Sequence, residues 1–305
     1  MLFSPLLLLL PFAVSAQRFV RFISDDGKEY TGDAILPDNT IDASMSTRAR
    51  VVEGDILGDF HVTDKVKPIQ QLLSPLSPER TRTVRCVGFN YVEHNEGTNT
   101  TLPEFPILFF KPFTALSDPG ADVPVTPGYQ QVGDFLSTMD YEAELVVVIG
   151  KKAFNISEAE ALDVVAGYSI GNDVSHRGWQ VDRGGQPRPQ FSMGKGADGW
   201  APWGPALVHP SIIEDPQTLK IWSKVNGELK QNSTTADMIF GVKQIVSFFS
   251  MGITLMPGDV IFTGTPAGTQ FESDDPIWLT DGDVVEVGLD NVGTITNTYR
   301  HVNII

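Results

Sequence analysis

Residues 140 to 150 read Asp-Tyr-Glu-Ala-Glu-Leu-Val-Val-Val-Ile-Gly, two glutamates at the head of an apolar run. No other stretch constrains the fold as much, because a chain that buries this strand must also accommodate its acids. Successive side chains of a strand alternate faces, so Glu142 and Glu144 point the same way, roughly 7 Å apart at about 3.3 Å rise per residue. Asp173 ends the next apolar run, Tyr168-Ser169-Ile170-Gly171-Asn172-Asp173, and joins the pair if the two strands lie side by side. Three carboxylates without Cys or His nearby suit a hard ion such as Mg²⁺, Mn²⁺ or Ca²⁺ better than Zn²⁺. A solvated strand edge whose acids merely repel would carry the same spacing.

The rest of the composition narrows the function classes. A formal net charge of −16 and a pI near 4.6 oppose binding to phosphate backbones and to anionic membranes, so neither nucleic acid nor membrane is an expected partner. Hydrophobic residues make up 41% of the 305, enough for a proper core in one large domain or two smaller ones. Cys86 is the only cysteine, which excludes an internal disulfide; it sits in an apolar segment as a buried thiol. Residues 1–16 run through Leu6 to Leu10 and end in small residues before Gln17, the pattern of a signal peptide without its basic start. The sequons at Asn99, Asn155 and Asn232 matter only if that leader directs the chain to the secretory route. The leader is too short and too interrupted by prolines to span a membrane.

In chain order, Arg18 to Ile35 has an extended, alternating pattern, and Lys67 to Leu73 fits a short helix. Ser74-Pro75-Leu76-Ser77-Pro78 reads as a linker. This gives a small β-rich N-terminal domain with its linker over 17–78 and a second domain over 79–305. In the latter, Val84 to Phe89 and Ile107 to Phe110 read as strands, and Pro and Gly density marks a long loop from Asp118 to Gln131. Ser157 and Glu160 form a capping box for a helix that Gly167 would stop, and Val174 to Pro189 is polar and loop-like. Arg177, Trp179, Gln180 and Arg183 in that loop are available to an acidic ligand or to solvent. Asn226-Gly227 signals a type I′ hairpin. Met238 to Phe249 has helical spacing ending at Gly252, and residues 283–299 form a terminal hairpin.

Gly194-Lys195-Gly196-Ala197-Asp198-Gly199 matches a dinucleotide fingerprint only formally, since Trp200-Ala201-Pro202 cannot continue as its helix. What survives is a lysine among glycines that permit close approach to a ligand. Gly264-Thr265-Pro266-Ala267-Gly268 lacks the lysine of a P-loop.

Taken together, the Asp140 to Leu145 block, Gly171-Asn172-Asp173-Val174-Ser175, Gly194-Lys195, Met256 to Ile261 and Gly264 to Gly268 resemble the signature blocks of the fumarylacetoacetate hydrolase family. The likeness runs from about 84 to 305, closest to the acylpyruvate hydrolase and oxaloacetate decarboxylase branch. It implies a β-rich α+β fold, a mixed β-sandwich roll that usually dimerises, behind the small N-terminal domain. It further implies Mg²⁺ or Mn²⁺ on Glu142, Glu144 and Asp173, with Lys195 facing the substrate and Thr265 helping to hold its carboxylate. Gln180 is a further expected substrate contact. His94 matches the lid histidine of an Asn-Tyr-x-x-His block, which in the family works with a glutamate three residues later. Here Gly97 stands at that place and Glu96 one residue earlier, so Glu96 is the expected assistant. Phe89 stands where an arginine is common and Gly178 where an aspartate is common.

The expected reaction is metal-assisted hydrolysis of a C–C bond in an acylpyruvate-like 2-oxo acid or 1,3-dicarbonyl compound, through an enolate. Decarboxylation of an oxaloacetate-like substrate, or isomerisation, would use the same site without a hydrolytic water. A metal-binding pseudoenzyme and a secreted glycosidase with paired acids are the rivals from other classes. The usual setting of the family is cytoplasmic or mitochondrial, whereas the leader points to secretion.

Overall fold

The computed structural model describes residues 17–98, 100–125, 137–183 and 189–302. The expected leader, Asn99, the part of the long loop from 126 to 131 and residues 184–188 lie outside the described residues. The architecture is mostly β. One large sheet runs in the order Phe60–Pro68, Arg48–Gly54, Glu29–Ala34, Arg18–Ile23, Ala201–Val208, Val165–Asn172, Ala143–Ile149, Val260–Phe262, Val84–Gly88, Ile107–Lys111. A second sheet runs Glu228–Thr234, Lys220–Val225, Val284–Leu289, Gly293–His301, Val123–Val125. Sheet pairing draws no boundary at 74–78, because Phe19 lies opposite Leu207 and the N-terminal strands extend the main sheet.

Ala143–Ile149 is central. It pairs antiparallel with Val165–Asn172 on one side and Val260–Phe262 on the other. Leu145, Val147 and Ile149 pack in one cluster with Ile221, Val287 and Ile295 of the second sheet. Val146 and Val148 pack on the opposite face with Cys86, Phe109, Trp203 and Phe262. A strand with two apolar neighbours reads as a continuous run rather than an alternating one. The glutamates stand at the end of this strand, where the apolar packing gives way to a cleft.

Local signals and tertiary pairing part company in four places. Lys67 to Leu73 is not helical: the Phe60–Pro68 strand runs into it, and Gln71–Leu73 pairs with Arg21–Ile23. The Ser157–Glu160 box does form, with Glu160 Oε2 accepting from the Ser157 N–H at 3.0 Å, but it opens only a 3₁₀ turn, Ala161–Val164. Val165 already belongs to a strand there, and Gly167 lies inside that strand, where a Cβ would meet the Val208 carbonyl oxygen at 2.6 Å. The stripe from Met238 yields a helix only over Val242–Phe249, since Met238 bridges to Tyr91 instead. The Asn226-Gly227 hairpin forms as its residues require, with φ of 51° and 82°.

Candidate active site

The ladder that pairs Glu144 with Gly171 and Ala143 with Asn172 carries Asp173 to the same strand ends as the glutamates. Glu142, Glu144 and Asp173 are buried, and one carboxylate oxygen from each lies within 4.8 Å of the others. Glu144 Oε2 accepts from the Gly264 N–H at 2.8 Å, which fixes that carboxyl on the turn following Val260–Phe262.

Three cations from distant elements face these acids. Lys195 closes the short helix Phe191–Lys195, and its Nζ donates to Glu142 Oε2 at 2.8 Å, Asp173 Oδ2 at 2.9 Å and Ser175 Oγ at 2.7 Å. Gly194 permits this placement, since a Cβ there would lie 2.6 to 2.9 Å from the Gln180 Cβ, Cα and N. The close approach expected around this glycine is therefore to protein rather than to a ligand. Arg177 Nη2 lies 2.8 Å from Asp140 Oδ2 and 2.7 Å from Glu142 Oε1. Lys111 Nζ stands 2.7 Å from Asp173 Oδ1 but directs its hydrogens to the carbonyls of Val174, Lys195 and Trp200.

Burial opposes charge on Glu142, yet Lys195 and Arg177 outweigh it and hold its carboxyl well below the usual range. Burial, with Asp173 and Glu142 as charged neighbours, pushes Glu144 the other way, well above it. Asp173 Oδ1 receives no directed hydrogen bond although it is buried. An all-oxygen set with one acid driven toward neutrality by its neighbours and one orphaned buried oxygen fits a hard divalent cation.

The other expected residues fall around the same pocket. His94, Lys195, Glu142, Gln180 and Thr265 line it, together with Arg177. Gln180 Oε1 accepts from Arg177 Nη1 at 2.9 Å, which leaves the amide hydrogens of Gln180 for a ligand. Thr265 lines the pocket, but its hydroxyl donates to the Ala143 carbonyl at 2.9 Å and accepts from Gln231 Nε2 at 2.7 Å, so its one proton is committed. Aromatic rings form the remaining wall: Phe89, Phe109, Phe191 and Phe271. Phe109 and Phe191 stack at 4.9 Å. Phe89 has φ of +55°, a strained value for a bulky residue, and lies 5.9 Å from the His94 ring in a stacked pair. Asn95 Nδ2 holds that turn by donating to the Phe89 carbonyl at 2.8 Å and to the Tyr91 carbonyl at 2.7 Å.

Glu96 is not brought to His94. It is exposed, while His94 is buried beside Glu272, whose Oε1 lies 2.5 Å from Nδ1. The helix Val92–Gly97 turns positions 94 and 96 about 200° apart, so the two cannot share a face. Gly97 makes room for the distant acid: a Cβ at 97 would sit 2.9 Å from Glu272 Oε2. Two further bonds lock that carboxylate, from the Gly268 N–H at 2.9 Å and the Thr269 hydroxyl at 3.0 Å. Glu272 and Lys111 are the functional residues sequence reasoning missed. The missing side chain at Gly97 was a signal that the acid comes from elsewhere, though not from where.

A β-roll that buries three carboxylates under a lysine, an arginine and a histidine–glutamate pair belongs to the enzymes that work on small oxo acids beside a carboxylate-held ion. Residues 83–300 match the model of the fumarylacetoacetate (FAA) hydrolase C-terminal family, and the chain belongs to that family. Oxaloacetate tautomerase fahd2, mitochondrial, of Xenopus laevis is 40% identical over 74% of this chain and 67% of its own length. Caffeoylpyruvate hydrolase of Neonothopanus nambi is 36% identical over 95% of each chain. The crystal structure of 2-hydroxyhepta-2,4-diene-1,7-dioate isomerase from Mycobacterium marinum superimposes with a TM-score of 0.76 at 33% identity, covering 95% of this chain and 100% of that one. Hydrolase, tautomerase and isomerase thus all occur among proteins similar to this one.

Proposed function

We propose that the protein hydrolyses the C–C bond of an acylpyruvate whose acyl arm is apolar, using a divalent ion, Mg²⁺ or Mn²⁺, held by Glu142, Glu144 and Asp173. The observation that carries this reading is the His94–Glu272 pair on the wall of the pocket that also holds Lys195 and the triad. When bound, the ion supplies Lewis-acid stabilisation of negative charge on the 2-oxo acid oxygens. Glu272 accepts the Nδ1 hydrogen of His94, which leaves the Nε2 lone pair to take a proton from water. The hydroxide equivalent adds to the acyl carbonyl, the C–C bond breaks, and the products are a carboxylic acid and the enolate of pyruvate. The imidazolium can return its proton to the enolate carbon, which balances the reaction. Lys195, which its acidic partners keep protonated despite burial, neutralises charge as the enolate forms. The Gln180 amide is placed to orient the substrate. Four phenylalanines on the wall support an apolar arm, and the relative of matching length is named for caffeoylpyruvate.

Tautomerisation of oxaloacetate is a second reading, favoured by relatives of 39 to 40% identity that bear that name. It needs proton transfer alone, without the attacking water. The two separate in one experiment: benzoylpyruvate and oxaloacetate are each incubated with the protein and Mn²⁺, with and without excess chelator, and the products are identified. Benzoate and pyruvate released only with the metal support hydrolysis. Enol–keto interconversion of oxaloacetate with intact benzoylpyruvate would replace it by the second reading, and benzoylpyruvate turnover that survives the chelator would remove the metal from the reaction.

A further inference from the structure

Asp140 opens the same sequence block as the glutamates, yet the chemistry above gives it no task although its carboxylate is fully buried. Its oxygens join three elements. Oδ1 accepts from the N–H of Tyr141 at 2.9 Å and of Gln270 at 3.0 Å. Oδ2 accepts from Arg177 Nε at 2.9 Å and from the N–H of Phe271 at 3.0 Å. Gln270 and Phe271 open the single 3₁₀ turn Gln270–Glu272, and the first N–H groups of a turn have no partner within it. Asp140 is their partner. The third residue of that turn is Glu272, whose carboxylate meets His94. The guanidinium of Arg177 also lies 4.8 Å from the Phe271 ring centroid, a second tie to the same turn.

We propose that Asp140 is a positioning residue that sets the histidine–glutamate pair relative to the carboxylate triad. Glu142, Arg177, Asp140, the 270–272 turn, Glu272 and His94 form one continuous bonded frame. Asp140 is the joint in it, bonded on one side to the arginine that contacts a metal-site acid and on the other to the turn that carries the acid partner of the base. The inference rests on the reading of His94 and Glu272 as the proton acceptor. An aspartate there only to neutralise Arg177 would need no bonds to the turn.

A double-mutant cycle of Asp140→Asn and Glu272→Gln tests this, with kcat and KM measured on benzoylpyruvate at saturating Mn²⁺ and Mn²⁺ affinity measured by calorimetry. Asparagine retains the size and one acceptor but presents an N–H₂ group where a donor must be received. Asp140→Asn is expected to lower kcat by about tenfold or more, within the contribution of a positioned proton acceptor. KM and the Mn²⁺ Kd should stay within about threefold of wild type. Added to Glu272→Gln, the same change should cost less than about a further twofold, because it acts through Glu272. Additive losses, or a loss confined to KM or to Mn²⁺ affinity, would overturn the proposal. Full activity of Glu272→Gln would overturn the base reading and this role together. Full activity of Asp140→Asn beside an impaired Glu272→Gln would overturn this role alone. Should Asp140→Asn not fold, Asp140→Glu keeps the charge for Arg177 while displacing the turn, and the same cycle is read with it.

Discussion

Replacing Glu144 with glutamine separates the ion site from the fold. The amide side chain would keep the acceptor for the Gly264 N–H and the volume of the original, while removing one of three clustered charges. In the wild-type protein a divalent ion at about 100 times its Kd stabilises the folded state by about 2.7 kcal/mol. For a large chain each kcal/mol raises Tm by about 2 to 4 °C, so Mn²⁺ should lift wild-type Tm by about 5 to 10 °C. Glu144→Gln should lose most of that lift at the same Mn²⁺ concentration. Its metal-free behaviour should have the opposite sign. Burial beside Asp173 and Glu142 raises the Glu144 carboxyl, so the stability it contributes is complete below its ordinary value of 4.5 and declines as pH rises through the raised value. Glutamine has no such dependence, and the metal-free variant at pH 8 should melt at or above wild type. Scanning calorimetry with EDTA and with Mn²⁺ at pH 5 and 8 gives all the curves. A variant that keeps the wild-type Mn²⁺ lift would refute the reasoning, as would one that melts well below wild type in EDTA.

Phe89→Arg places a cation on the aromatic wall beside His94. It should lower kcat/KM for benzoylpyruvate by about tenfold or more and raise it for oxaloacetate, whose second carboxylate the guanidinium can meet. Lys195→Met leaves Glu142 and Asp173 without their shared donor, a loss of about 3 to 5 kcal/mol for a broken buried pair. Mn²⁺ should restore much of that Tm, whereas turnover should stay depressed, because the ion replaces the charge but not the ammonium facing the substrate. For Glu272, burial opposes the charge, but the bond from His94 and then the Gly268 N–H hold its carboxyl below 4.5. Its stabilising contribution is therefore complete above that value and is lost as pH falls through the lowered one. Urea melts of wild type and Glu272→Gln should differ at pH 6 and converge toward pH 3.

The parts of this site that repeat at short range were legible. Period-two alternation put Glu142 and Glu144 on one face, and antiparallel pairing with Val165–Asn172 delivered Asp173 beside them. The Asn226-Gly227 and terminal hairpins followed from turn chemistry that acts within a few residues. Helix signals misled where sheet pairing was available. A capping box is worth about 1 kcal/mol, and it did not hold Val165 in a helix against a ladder on both sides of its strand.

The acid partner of His94 shows the limit most clearly, since Glu272 lies 178 residues away. Nothing near Glu272 marks it, and nearby Glu96 was the natural candidate until the helix turned it to solvent. Lys111 and Asp140 gained their tasks in the same way, from elements that meet only after the sheet closes. The sequence by itself determined which residues could bind a hard ion, because backbone periodicity fixes the face of a side chain. Only the tertiary structure decided which acid, arginine and lysine stand around that ion, because strand order and register, not distance along the chain, set who meets whom.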